Sequence, residues 1–106
     1  MGERVTWRAV ARVADLPVGS MRRVTIDDHD LLLANSDGNL FATDDLCTHE
    51  DASLSSGALY GELVTCPLHG SRFCLRTGTP QDEPAEEALD CYGVRIEGKR
   101  IEVSFP

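Results

Sequence analysis

The sequence predicts an all-β fold, and three features of its 106 residues support this prediction. Short stretches rich in β-branched and apolar residues alternate with turn signals along the whole chain. No stretch keeps apolar residues at helical spacing for three turns. Apolar residues make up 42% of the chain, which is enough for a core, while nine glycines and five prolines indicate many loops. We therefore expect one compact, loop-rich β domain.

The alternation of strand and turn signals gives each element in order. One short helical turn is expected at 13–16, followed by a loop at 16–20. The run Ser36-Asp37-Gly38-Asn39 predicts a hairpin, because Asp and Gly tolerate the positive φ of tight turns. Glu97-Gly98-Lys99 predicts a second hairpin. Eight strands are predicted, at 5–10, 21–26, 30–34, 40–43, 62–65, 72–75, 89–97 and 100–105.

The middle of the chain differs in composition from its flanks. It holds two of the three histidines and three of the four cysteines, together with a turn-rich run at 51–57. We interpret 1–106 as a single domain with a β base formed by 1–45 and 85–106 and a small inserted subdomain at about 46–84. The acidic run at 79–87, which two prolines interrupt, is expected to be an exposed loop.

The charge balance restricts the classes of partner. Eighteen acidic and ten basic residues give a formal net charge of −8, which argues against nucleic acid and against an anionic membrane. A basic surface on another protein is the better match. No run of 18 apolar residues occurs, and the first residues lack the apolar core of a signal peptide. We expect a soluble cytoplasmic protein whose four cysteines favour metal ligation over disulfides.

Two short loops have the composition of a metal site. Each contributes one cysteine and one histidine, and 16 residues lie between His49 and Cys66 in the pair Cys47-Thr48-His49 and Cys66-Pro67-Leu68-His69. Four such donors suit either a tetrahedral zinc ion or a [2Fe–2S] cluster with two cysteines on one iron and two histidines on the other. Zinc motifs usually pair cysteine with cysteine along the chain, whereas each loop here mixes the two residue types.

The mixed pattern Cys-x-His-x₁₆-Cys-x₂-His resembles the Rieske family over essentially the whole chain. The resemblance implies a Rieske fold with an antiparallel β-sandwich base and a cluster-binding subdomain. It also implies one Rieske-type [2Fe–2S] cluster per chain, with Cys47 and Cys66 on one iron and His49 and His69 on the other. Electrons would enter and leave at the two histidines, and no residue would be catalytic.

The run from Cys66 to Gly78 is similar to the ferredoxins of bacterial aromatic-ring-hydroxylating dioxygenases, such as those acting on biphenyl, toluene or carbazole. Rieske subunits of respiratory complexes carry an extra disulfide-forming cysteine in each loop, where this chain has Ala52 and Leu68. The resemblance thus implies a disulfide-free, monomeric electron carrier. Its partners would be an NAD(P)H-dependent ferredoxin reductase and a terminal oxygenase.

Two residues after the second loop could tune the cluster. Ser71 occupies the position of a serine that donates to a bridging sulfide in high-potential relatives, or it is a turn residue capped by solvent. Phe73 replaces a tyrosine that donates to a cysteine sulfur in those relatives, so that second hydrogen bond cannot form.

Other candidate residues have simpler interpretations. Cys74 and Cys91 lie in predicted strands and are expected to be buried and inert. His29 stands among aspartates and is expected to be a solvated turn residue, while Trp7 is expected at the core or the domain edge.

Two rival functions remain open at this point. One is a Rieske-like small subunit of an assimilatory nitrite reductase, and the other is a zinc-stabilised interaction module without a redox role. A complete oxygenase is excluded by length, because it needs a further mononuclear iron domain and His29 is the only histidine left over.

Overall fold

The computed structural model describes residues 6–48, 51–68, 70–83 and 85–105. These residues form antiparallel strands and two short 3₁₀ turns, Val13–Asp15 and Leu54–Ser56, which confirms the all-β prediction. The first 3₁₀ turn lies where the sequence predicts one. The strands are β1 (Trp7–Arg12), β2 (Met21–Ile26), β3 (His29–Ser36), β4 (Asn39–Asp44), β5 (Ala58–Tyr60), β6 (Leu63–Thr65), β7 (Arg72–Cys74), β8 (Cys91–Tyr92), β9 (Val94–Glu97) and β10 (Arg100–Ser104).

The strands belong to three sheets. The first has the order β1-β10-β9, the second β2-β3-β4-β8, and the third β5-β6-β7. Along the chain, all three strands of the third sheet come after β4 and before β8, which are both strands of the second sheet. The first two sheets therefore form a base from both ends of the sequence, and the third is inserted between β4 and β8.

Two tight turns set the register of the second sheet. Asp37 and Gly38 both have positive φ, at 56° and 94°, which confirms the predicted hairpin between β3 and β4. Asp27 and Asp28 also have positive φ, at 48° and 67°, and join β2 to β3. The sequence did not predict this turn, because Asp-Asp lacks the glycine that usually marks it.

Strand β3 separates two apolar cores. Its residues 31–36 are all buried, and successive side chains point to opposite faces of a strand. Leu31 and Leu33 accordingly pack in the core between the base sheets, while Leu32 and Ala34 pack in a second core beneath the third sheet. This double burial explains the unbroken apolar run at 31–34. The second core also contains Cys47, Cys66, Phe73 and Leu75.

Two strand predictions were wrong. The strand predicted at 89–97 is two strands, β8 and β9, which lie in different sheets, because the chain changes sheet at Gly93. Strand β5 was missed because its three residues are too short for an alternating pattern to be recognised. The predicted first strand begins at Val5, which lies outside the described residues.

Within the described part of the chain, no helix has the length and apolar character needed to cross a membrane.

Candidate metal centre

The two predicted cysteine ligands lie in one core although they come from different loops. Cys47 follows the end of β4, and Cys66 directly follows β6. Both residues are buried, with 3% and 1% of their surface exposed, and both belong to the second core. His49 and His69, the other two predicted ligands, lie outside the described residues. The four-residue ligand set therefore stays a prediction, of which the structure brings the two cysteines together.

Backbone hydrogen bonds close the first loop. The Cys47 N–H donates to the Ala52 carbonyl at 2.9 Å, and Leu46 forms an isolated β-bridge with Ser53. The turn that follows begins at Leu54, whose N–H donates to the Asp45 carbonyl at 2.7 Å. Residues 46–47 are thus paired with residues 52–53, and Cys47 is buried at this pairing.

A buried carboxylate, which the sequence analysis missed, supports this loop. Asp45 is 2% exposed. It accepts hydrogen bonds from the Ser53 hydroxyl and, at 2.9 Å, from the Ser55 N–H. A buried carboxylate is tolerated only when its oxygens are hydrogen-bonded, and these serines provide the donors. The available signal was an aspartate beside a ligand loop followed by closely spaced serines, which is too common to be diagnostic.

The second loop turns sharply after Cys66. The Cys66 N–H donates to the Ser71 carbonyl at 2.8 Å, and the Gly70 N–H donates to the Cys66 carbonyl at 3.1 Å. Gly70 has φ of 75°, a conformation that residues with a Cβ rarely adopt. Glycine at position 70 therefore permits this close turn.

Ser71 is fully buried and its hydroxyl accepts a hydrogen bond from the Ala85 N–H at 3.3 Å. The interpretation of Ser71 as a turn residue capped by solvent is therefore wrong. Its alternative role as a donor to a bridging sulfide stays a prediction. Phe73 is also fully buried and has no hydroxyl to donate.

The acidic run at 79–87 lies against both loops. The Thr48 hydroxyl donates to the Glu87 carbonyl at 2.8 Å, and Ala85 contacts Ser71 as described above. Asp82 accepts from the Arg72 guanidinium at 2.7 and 3.0 Å and from the Arg72 N–H at 3.1 Å. These hydrogen bonds, with the nearby positive charge, lower the pKa of the Asp82 carboxyl. The predicted exposed loop is thus a tethered segment whose glutamates face solvent while Ala85 is buried.

Each loop presents an apolar side chain to solvent. Leu46 is 56% exposed and Leu68 is 57% exposed. The neighbouring Pro67 is also exposed. Exposed carboxylates flank these side chains at Asp51 on the first loop and at Glu87 on the tethered segment. The loops therefore combine a small apolar surface with a negative surround, which suits contact with another protein.

The two remaining cysteines are separate from this centre. Cys74 is half-buried because Phe73 points into the core and the next residue of a strand points away. A hydrogen bond with the Thr77 hydroxyl lowers the pKa of the Cys74 thiol. Cys91 is exposed, so its predicted burial was wrong: it lies in the two-residue edge strand β8, which pairs only with β4.

His29 was expected to be a solvated turn residue: its side chain is exposed as expected, but the residue belongs to a strand and not to the turn. It begins β3, and its Nε2 lies 2.6 Å from Oδ1 of Asp44. The Tyr92 hydroxyl donates to the same oxygen at 2.6 Å, and the His29 ring packs against Phe105 with a centroid distance of 5.3 Å. Burial and the Asp44 carboxylate raise the pKa of Tyr92 well above its usual value, so the phenol remains a donor. Trp7, which is half-buried at the edge of the base, was placed correctly.

Comparison with known proteins identifies relatives over most of the chain. A family model described as the Rieske [2Fe-2S] domain matches residues 6–93. The ferredoxin subunit of a biphenyl dioxygenase from Pseudomonas sp. strain KKS102 is 40% identical over 102 residues, which covers 95% of this chain and 94% of that protein. The ferredoxin component of a naphthalene 1,2-dioxygenase system from Pseudomonas aeruginosa is 36% identical over 99 residues, with 93% and 95% covered.

A solved structure shares the fold. It is a chain from a complex of reduced oxygenase and oxidised ferredoxin in carbazole 1,9a-dioxygenase, and it superposes with a TM-score of 0.87 at 33% identity. The match covers 92% of each chain.

Proposed function

Because the chain belongs to the Rieske [2Fe-2S] domain family, we propose that it carries single electrons from an NAD(P)H-dependent flavoprotein reductase to the terminal oxygenase of an aromatic-ring dioxygenase system. Family membership favours the iron–sulfur cluster over the single zinc ion that the donor types alone left open. The protein would be an electron-transfer component, without a catalytic residue of its own.

The observation that carries the proposal is the convergence of Cys47 and Cys66 in one dry core. Cysteine thiolates are the ligands that iron–sulfur clusters require, and both thiols come from short loops with fixed backbones. Burial at 3% and 1% exposure keeps water from the sulfur atoms. The donor set and its surroundings thus fit the cluster implied by the family.

We assign the four ligands as in the sequence analysis. Cys47 and Cys66 would hold one iron through their sulfur atoms, and His49 and His69 would hold the other. The cluster would supply one reversible electron acceptor. The chain would supply the rigid loops that hold the ligands. Asp45 and Ser71 support these two loops through the hydrogen bonds described above.

The loop surface suits brief contact with redox partners. Leu46 and Leu68 offer apolar contact beside the ligands, and the surrounding carboxylates attract a basic partner surface. The printed names of the relatives support the choice of partners, since they are ferredoxin components of biphenyl and naphthalene dioxygenases. A ferredoxin–oxygenase complex is also known for the carbazole enzyme.

Two finer assignments accompany the proposal. We place the protein in the cytoplasm, where such reductases draw on NAD(P)H. We also divide the chain into a base of 1–45 and 85–106 and a cluster-binding subdomain of about 46–84. The position of sheet β5-β6-β7 at 58–74 supports this division.

The test is reconstitution of electron flow. The purified protein is combined with NADH, a biphenyl dioxygenase reductase and its terminal oxygenase, and cis-dihydrodiol formation is measured. Product should depend on this protein and should be absent with Cys66→Ser, while Cys91→Ala should support it. Product formation that does not respond to the protein would contradict the proposal, and activity with a nitrite reductase large subunit instead would favour the rival small-subunit role.

A further inference from the structure

An open groove runs between the two sheets of the base. Strands β1 and β2 are outer strands of the first and second sheets, and no backbone pairing joins them in the described part of the chain. The groove between them has a volume of about 640 Å³. The groove is lined by residues 7–10 of β1, by residues 22–26 of β2 and by residue 27 in the turn that follows β2.

The β2 side of this groove presents a regular, unpaired strand edge. The two-residue turn after β2 makes Ile26 and His29 a hydrogen-bonded pair, and hydrogen-bonded pairs alternate along an antiparallel ladder. The main-chain N–H and C=O groups of Met21, Arg23 and Thr25 therefore point away from β3. No other described backbone group bonds to them.

Strand β1 does not offer an equivalent edge. Its pairing with β10 is interrupted between Ala9 and Ala11, and such a bulge disrupts a regular ladder. β2 keeps an uninterrupted six-residue register with β3. An added strand would therefore pair with β2.

The groove is positively charged although the chain is strongly acidic. Arg22 and Arg23 are exposed, and neither guanidinium has an ion-pair or hydrogen-bond partner among the described residues. Arg8, on the opposite wall, is neutralised by Asp27 at 2.8 Å. These two arginines thus place unpaired guanidinium groups along an open edge of a chain whose net charge is −8.

We propose that the outer edge of β2 binds an extended acidic segment of a partner protein by strand addition. The exposed main-chain groups of β2 would pair with the segment, as in other complexes that extend a sheet. Carboxylates at two successive positions would meet Arg22 and Arg23, which point to opposite faces of the strand. A second copy of this chain is disfavoured as the occupant, because pairing two β2 edges would bring like charges together.

The bound segment would lie close to the first ligand loop. Arg23 lines a second, smaller hollow together with Leu46, Ala52 and the carboxylates Asp30, Asp45 and Asp51, none of which forms an ion pair with it among the described residues. A partner held along β2 would thus be kept beside the loop that carries Cys47. The proposal goes beyond electron transfer, and binding at this edge can be measured without any turnover.

The chain contains its own reporter for this test. Trp7 is the only tryptophan and lines the groove, so its emission reports occupancy. The probe is the acetylated, amidated peptide Thr-Val-Glu-Glu-Val-Thr, titrated into the cluster-loaded protein at low ionic strength. Two comparison peptides replace both glutamates by lysine, or carry N-methyl groups at alternate amides.

Two charge-matched variants complete the design. Arg22→Gln/Arg23→Gln removes the groove cations, while Arg12→Gln/Lys99→Gln removes two exposed cations that do not line the groove. We expect saturable binding of the acidic peptide to wild type and to the second variant, and about tenfold weaker binding to the first. The lysine and N-methyl peptides should not bind.

Four results would overturn the proposal. These are a lack of saturable binding at low-millimolar peptide, equal binding of the lysine peptide, equal binding of the N-methyl peptide, or equal affinity of the two variants. Sedimentation velocity provides a further check. A concentration-dependent dimer that disappears in Arg22→Gln/Arg23→Gln would mean that a second copy, and not an acidic partner, occupies the edge.

Discussion

Cys47 and Cys66 differ from the other two cysteines in their surroundings as well as in the motif. Both lie in the apolar core beneath the third sheet, whereas Cys74 is half-buried and Cys91 is exposed. A thiol in a shielded loop can hold a metal without competition from water, and an exposed thiol on an edge strand cannot do so equally well.

The first prediction follows from this difference. Cys47→Ser and Cys66→Ser should each lose the cluster, because serine does not replace the thiolate that iron requires. Cys74→Ser and Cys91→Ser should retain it. Iron and acid-labile sulfide content of the purified variants provides the measurement, and loss of the cluster in Cys74→Ser would show that a ligand was misassigned.

Gly57 provides a second prediction at the scale of a single residue. A Cβ at this position would lie 1.8 Å from the carbonyl oxygen of Thr65, which directly precedes Cys66. Gly57→Ala should therefore displace the backbone beside the second loop and cost about 2–4 kcal/mol of stability.

The matched control is Gly93→Ala. Its Cβ would make ordinary contacts of 3.5 Å with Ser104 and Trp7, and its stability should change by less than about 1 kcal/mol. The measurement is the urea midpoint of unfolding of both variants. Equal midpoints would show that the close approach of Gly57 to Thr65 does not exist in solution.

At this scale the sequence predicted the chemistry but not the supporting contacts. The spacing of cysteine and histidine identified the ligand candidates, because that pattern is local. The hydrogen bonds from the Ser53 hydroxyl to Asp45 and from the Ala85 N–H to Ser71 join residues 8 and 14 positions apart. Such pairs depend on how the loops pack, and no local pattern encodes them.

At the scale of elements, the tethered segment 79–87 packs beside the two loops that carry Cys47 and Cys66. Asp82 fixes its start to β7 through Arg72, and Glu87 fixes its end to Thr48. Proline and charge in the sequence indicated an irregular exposed loop. They could not indicate the tethers, since an ion pair between Arg72 and Asp82 depends on the fold.

The Arg72–Asp82 pair predicts a pH dependence of stability. Hydrogen bonds from Arg72 lower the folded-state pKa of Asp82 below the unfolded value of about 3.9. The pair thus contributes stability that is present above that value and is lost as pH falls through the folded pKa. Asp82→Asn should lower the melting temperature at neutral pH, and the difference from wild type should shrink below about pH 4.

Glu83→Gln is the control for this measurement, because Glu83 is exposed and has no ion pair among the described residues. Its melting temperature should follow that of wild type. A difference between Asp82→Asn and wild type that stays constant down to about pH 3 would contradict the linkage.

The strands also show that a local sequence pattern predicts an element but not which sheet it joins. β3 was predicted well because its double burial leaves a continuous apolar run. β8 and β9 were merged because the change of sheet at Gly93 leaves no break in the apolar pattern. The fold class could therefore be anticipated, while the path of the chain between sheets could not.

At the scale of the whole molecule, the net charge of −8 governs association. Long-range attraction to a basic partner accelerates encounter, and salt screens it over a Debye length that falls from about 10 Å at 0.1 M to about 3 Å at 1 M. Cytochrome c reduction through the reductase and this protein should therefore slow as salt is added.

The carboxylates near the loops should account for most of this sensitivity. Glu87→Gln should weaken the salt dependence, whereas Asp37→Asn, in the turn at the other end of β4 from Cys47, should leave it unchanged. Stopped-flow rates at several salt concentrations test this. A rate that is independent of salt in wild type would exclude electrostatic steering.

The central claim is that two cysteines and two histidines hold a [2Fe–2S] cluster, and pulsed electron paramagnetic resonance of the dithionite-reduced protein tests it most directly. The account predicts a spin-one-half signal that is absent before reduction and is coupled to the nitrogen atoms of two imidazoles. The nitrogen coupling should be lost or halved in His49→Cys and His69→Cys, and unchanged in His29→Gln. A colourless protein with one zinc ion and no signal, or a signal without nitrogen coupling, would contradict it.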